Sequence, residues 1–150
     1  MTSQELEEYC FLRLYSGDLN GCRHVLRMIR RYRKPDIRYA LIRDLAVTYA
    51  RPFSGNDRKV RGKHSLSLDY VPTEHRGIHR RLCDLRNFQF AHSSLKFHNP
   101  KLAQFGDLVA MSRKSVDFAQ LDRSLIDIEI LVVQVESNIN SAAFAMQARL

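Results

Sequence analysis

Between Leu121 and Met146 the chain places Leu121, Leu125, Ile128, Val132, Val135, Ile139, Ala142 and Met146 at alternating intervals of four and three. At 3.6 residues per turn, those side chains share one face of a helix about seven turns long. Ile130, Leu131 and Val133 widen the stripe. A helix with an apolar seam of that length must pack against other helices along most of it. The seam predicts an all-α fold: an up-and-down bundle of about four to five helices closed by a long C-terminal helix, with residues 1–150 forming a single domain. Most of the seam is assigned to the bundle core, and part of it could serve a dimer. Asp117 followed by Gln120 marks its opening.

Shorter patterns upstream supply the partner helices. Leu6, Cys10 and Leu14 predict a helix over Gln4–Tyr15, with Glu5, Glu7 and Glu8 complementing the dipole of its first turn. Ser16-Gly17-Asp18 reads as a break in which Asp18 caps a second helix reaching about Arg33, with Cys22, Val25, Leu26 and Ile29 on its apolar face. One long helix that absorbs Gly17 is the alternative. Pro35 opens the next helix, which carries Ile37, Ala40, Leu41, Leu45 and Thr48 and stops near Arg51-Pro52. Residues 54–71 have no sustained period and read as a loop pinned by Leu66 and Leu68. Thr73 caps a further helix. Beyond it, a short helix over Pro100–Phe105 ends at Gly106, and Leu108–Ser112 is extended.

Composition narrows the function classes. Cys10, Cys22 and Cys83 are widely spaced and odd in number, so they read as free thiols of a reducing compartment, all three as small buried apolar residues. The acidic, polar N-terminus has no leader pattern, and no apolar run approaches the roughly 20 residues of a membrane span. The expected location is the cytoplasm, away from membranes. The net charge is +8. Arg23, Arg27, Arg30, Arg31, Arg33 and Lys34 form one cluster, Arg58, Lys59, Arg61 and Lys63 a second, and Arg76, Arg80, Arg81 and Arg86 a third. Clustered cations suit a polyanion such as RNA, because each phosphate contact releases a counterion. His75 and His79 are four apart, a spacing that can bring two imidazoles to one face, but no carboxylate completes a metal-ligand motif. Gly-rich phosphate loops and the sequence context of a Ser or Cys nucleophile are absent. No metal and no cofactor is expected.

The remaining candidate is Arg86-Asn87-Phe88-Gln89-Phe90-Ala91-His92-Ser93. On an α-helical wheel Ile78, Leu82, Leu85 and Phe88 share an apolar sector to which His92 returns, while Arg86 lies about 120° from His92. The pair would therefore not meet on one straight helix. An Arg, five intervening residues and a His, with a polar residue directly after the Arg, resembles the motif of the HEPN superfamily, in the R-N-x-x-x-A-H-S form of its abortive-infection and toxin-like branch. The likeness extends upstream through Tyr49-Ala50-Arg51-Pro52-Phe53, covering roughly Arg43 to Ser93.

The resemblance implies a metal-independent endoribonuclease of toxin or phage-defence type. It implies a homodimer whose two motifs form one cleft, so that Arg86 of one chain could meet His92 of the other. It also implies RNA as substrate and a cognate antitoxin such as a nucleotidyltransferase as a possible partner. His92 would be the general acid/base, Arg86 the phosphate clamp and Asn87 an orienting group. Arg51, Arg58, Lys59, Arg61, Lys63 and Arg80 would hold the RNA backbone. Some members of the superfamily are binding modules, so a non-catalytic RNA- or protein-binding module stands beside the enzyme reading.

Overall fold

The computed structural model describes residues 2–58, 62–90, 98–112 and 118–149. Five α-helices carry the fold among these residues: α1 (Ser3–Arg31), α2 (Pro35–Ala50), α3 (Arg76–Asp84), α4 (Phe118–Arg123) and α5 (Leu125–Gln147). Two small antiparallel hairpins accompany them, β1 (Asn56–Asp57) with β2 (Lys63–His64) and β3 (Lys101–Phe105) with β4 (Leu108–Ser112). The architecture is the expected helical bundle with a long final helix.

α1 is one helix of 29 residues, which corrects the expected break at Ser16-Gly17-Asp18. An exposed Gly in a helix costs about 1 kcal/mol relative to Ala. Here Phe11, Leu12, Tyr15, Leu19 and Cys22 are buried on both sides of it, which outweighs that cost. Asp18 accepts from the Arg51 guanidinium at 3.3 Å instead of capping a helix. The cap of α1 is Thr2, whose hydroxyl accepts from the Glu5 N–H while the Glu5 carboxylate accepts from the Thr2 N–H. Those bonds hold the Glu5 carboxyl below its usual range. Because the buried stripe runs through Phe11 and Tyr15, the expected face is turned outward: Leu6 and Leu14 are exposed, and so is Cys10.

α5 lies antiparallel to α1, joined by Ser16 to Asn140 (2.8 Å), Arg23 to Glu136 (3.2 Å) and Arg30 to Glu129. Of the seam, Leu121, Ile128, Val132, Val135 and Ile139 are buried, and Leu125, Ala142 and Met146 pack against the core from its margin. Leu131 joins the core, whereas Ile130 and Val133 face outward. The helix is interrupted at Ser124, which separates α4 from α5. Asp117, its expected opening, lies outside the described residues.

α2 has the bounds its sequence predicts, with Pro35 in the first turn. Its buried face is Ile42, Leu45, Ala46, Tyr49 and Ala50 with Thr48, while Ile37 and Ala40 are exposed. Within the segment expected to be a loop, β1 and β2 pair in the register Asn56↔His64 and Asp57↔Lys63. Leu66 is buried there as expected, and Leu68 is not. Thr73 does not cap α3: residues Thr73–His75 form a 3-10 turn, and the helix proper begins at Arg76 without a side-chain cap.

The expected helix over Pro100–Phe105 is a strand. Six residues cannot cover the cost of helix nucleation without packing. Gly106, at φ +61°, instead turns the chain into an antiparallel pair with Phe105 opposite Leu108 and Leu102 opposite Met111.

Candidate functional site

α3 continues directly into a π-helical turn, Leu85–Phe90, which carries the first half of the Arg/His motif. A π turn closes i→i+5 hydrogen bonds and is found in short pieces, frequently at functional sites. Leu82 and Leu85 anchor this stretch in the core, and Phe90 packs edge-on against Tyr39 of α2 with ring centroids 6.3 Å apart. Phe88, expected in the buried sector, is 44% exposed because the wider turn rotates it outward.

Arg86 is half-buried, and its Nη1–H donates to Asn87 Oδ1 at 2.8 Å. The amide thereby holds one corner of the guanidinium and leaves its other donors without a partner among the described residues. A fixed cation with several open N–H groups can bind a phosphate through two of them at once. His92 lies outside the described residues, as do Lys59 and Arg61.

The remaining basic candidates do not gather around Arg86. Arg80 is exposed on α3, six residues before it. Tyr49 meets His79 at one end of the α2–α3 contact and Tyr39 meets Phe90 at the other, so those ends are about 15 Å apart along α2. Arg51, Arg58 and Lys63 belong to the Tyr49 end, away from Arg86. Arg51 is paired with Asp18, and Arg58 faces Glu7 and Glu8 at 3.8 and 3.9 Å. Lys63 is exposed. Arg38 is likewise engaged, with Asp122 and with the carbonyls of Ile29 and Tyr32. Arg27, Arg31, Arg33 and Lys34 are exposed and make no ion pair among the described residues.

Two buried polar clusters were not anticipated. In the first, His64 is stacked on Phe11 at 4.2 Å, with Nε2 2.7 Å from the Glu8 carboxylate and Nδ1 2.7 Å from the Tyr15 hydroxyl. An ionised carboxylate can only accept, so Nε2 carries a proton; in the neutral ring Nδ1 then accepts from Tyr15. The Asn56 amide donates to the same hydroxyl at 3.1 Å. Burial raises the Tyr15 phenol above its ordinary range. This cluster ties β1 and β2 to α1.

In the second cluster, the Tyr49 hydroxyl and His79 Nδ1 are 2.9 Å apart, and Cys83 Sγ lies 3.8 Å from Nε2. Phe53 packs edge-on against the imidazole at 4.5 Å. His79 is therefore a core residue, whereas His75 is half-buried. Desolvation lowers the His79 pKa, with Arg76 and Arg80 adding to the effect, and pushes Cys83 up to about 11. Cys83 is thus a thiol at neutral pH, which makes it a poor nucleophile. Both clusters join residues at least 30 positions apart. Apart from the i, i+4 spacings of His75, His79 and Cys83, nothing in the sequence signals them.

The chain matches no protein-family model, no curated protein and no solved structure.

Proposed function

We propose that this chain is a metal-independent endoribonuclease of HEPN type, acting in a toxin or phage-defence setting as a homodimer. One observation carries the reading: the Arg-x5-His motif begins on a π-helical turn where Asn87 holds the Arg86 guanidinium. Cleavage of RNA through its own 2′-hydroxyl requires that hydroxyl to lose a proton and the departing 5′-oxygen to gain one. Histidine, which titrates near neutral pH, can perform either transfer, and this is the role of His92. As the 2′-oxygen bonds to phosphorus, negative charge builds on the phosphoryl oxygens. The guanidinium of Arg86 neutralises it through preorganised N–H donors. The products are a 2′,3′-cyclic phosphate and a free 5′-hydroxyl. The RNA backbone would run over exposed cations, of which Arg80 and Lys63 make no ion pair among the described residues.

The test is incubation of a mixed RNA with purified protein in excess EDTA, beside Arg86→Ala and His92→Ala. Cleavage by wild type alone, leaving cyclic phosphate ends, supports the enzyme. Equal cutting by all three proteins indicates a contaminating nuclease and removes the assignment. The exposed Arg27, Arg31, Arg33 and Lys34, which make no ion pair among the described residues, favour a second reading, a non-catalytic RNA- or protein-binding module. Binding with a steep salt dependence and no cleavage would establish it.

A further inference from the structure

The β3–β4 hairpin is apolar on both faces. Side chains alternate across a strand, so Phe105 and Leu108 mark one face with Ala103 and Ala110, and Leu102, Val109 and Met111 mark the other. All five large side chains are exposed: Leu102 by 72%, Phe105 by 70%, Leu108 by 74%, Val109 by 62% and Met111 by 63%. Two strands alone are marginal in water, and exposed apolar patches of this kind mark interaction sites. Neither strand carries a charge or a Pro between Leu102 and Phe105 or between Leu108 and Ser112, so its edges lack the residues that normally blunt them.

We infer that this hairpin is a dimerisation arm, and that its occupant is the same hairpin of a second copy packed antiparallel about a two-fold axis. Charge favours that occupant. The hairpin's only charges between Lys101 and Ser112 are Lys101 at its stem and Asp107 in its turn. Antiparallel packing sets each Lys101 beside the partner's Asp107, whereas parallel packing would oppose like charges. Shape agrees, because the bulky Phe105–Leu108 pair of one arm lies toward the small Ala103–Ala110 pair of the other. Pairing through that face takes Phe105 and Leu108 of each copy, with Ala103 and Ala110, out of water. Hairpin pairing requires no catalytic chemistry, so it can fail without removing RNA cleavage; it shares only the homodimer with the ribonuclease reading.

Sedimentation equilibrium of the full chain tests it. Wild type is expected at twice 17.5 kDa. Phe105→Lys/Val109→Lys, which charges both faces, is expected at the monomer mass with an unchanged helical circular dichroism spectrum, since both positions are exposed. Asp107→Lys alone should weaken association about tenfold, and Lys101→Glu/Asp107→Lys should restore it. A monomeric wild type at high micromolar concentration would overturn the assignment. So would a dimer that survives the two lysines, or a charge exchange no better than the single substitution.

Discussion

Tyr49 is fully buried in α2, and its hydroxyl is placed to donate to Nδ1 of His79. Tyr49→Phe removes one oxygen, keeps the ring in contact with Phe53 and leaves Nδ1 without that partner. Leaving a buried acceptor unsatisfied costs about 1–2 kcal/mol. For a chain of this size each kcal/mol lowers Tm by roughly 2–4 °C, so the expected loss is about 2–8 °C. His79→Leu leaves the Tyr49 hydroxyl stranded and also loses the edge-on contact with Phe53, so it should cost more. Removing both partners leaves neither group unpaired. The double variant should therefore be more stable than the sum of the two losses by about 1 kcal/mol, measured from urea midpoints at constant m. Additivity within about 0.5 kcal/mol would refute a stabilising Tyr49–His79 bond.

Three further outcomes follow from the same core. His79 has a folded-state pKa below its unfolded value, so on acidification the unfolded chain takes up its proton first. Stability is then present above about pH 6.5 and is lost as pH falls through the folded pKa, and His79→Gln should flatten that slope between pH 7.5 and 5 in urea titrations. Val132, buried at mid-seam, becomes an unpaired buried carboxylate in Val132→Asp, which should cost at least about 3 kcal/mol; a folded, soluble variant with native Tm would mean that this face is not core. Cys83, held up to about 11, should react with a thiol reagent at pH 7 far more slowly than exposed Cys10, as mass spectrometry of the native protein would record.

The helices were legible wherever one apolar face is repeated long enough to outvote local residues. The four–three seam located α5, and Pro35 with Arg51-Pro52 bounded α2. The same residue-level reading placed a break at Gly17, because a turn-forming Ser-Gly-Asp triplet carries no information about the buried stripe on either side of it. In the β3–β4 hairpin, Leu108–Ser112 was legible as extended, whereas β3 was not, for a related reason: Lys101–Phe105 has neither period, and its state is decided by what pairs with it. Arg86 and Asn87 were visible as a motif, whereas the Glu8–His64–Tyr15 and Tyr49–His79–Cys83 clusters depend on contacts between distant residues that periodicity cannot convey.

The π turn also changes how the motif should be measured. An angle of about 120° between Arg86 and His92 assumes an α-helix from one to the other, and Leu85–Phe90 does not wind that way. The angle therefore no longer requires that the two side chains meet across a dimer, and the question passes to experiment. Mixing Arg86→Ala chains with His92→Ala chains separates the cases. In a two-fold dimer whose sites each take the Arg from one chain and the His from the other, every mixed dimer holds one intact site and one doubly defective site. Free exchange of equal amounts makes half the dimers mixed, so about a quarter of wild-type cleavage should return. If Arg86 and His92 act within one chain, every site in the mixture lacks one of them and no activity returns. Recovery near a quarter, absent from either variant alone, places the reaction across two copies; its absence, with mixed dimers verified by native mass spectrometry, places it within one.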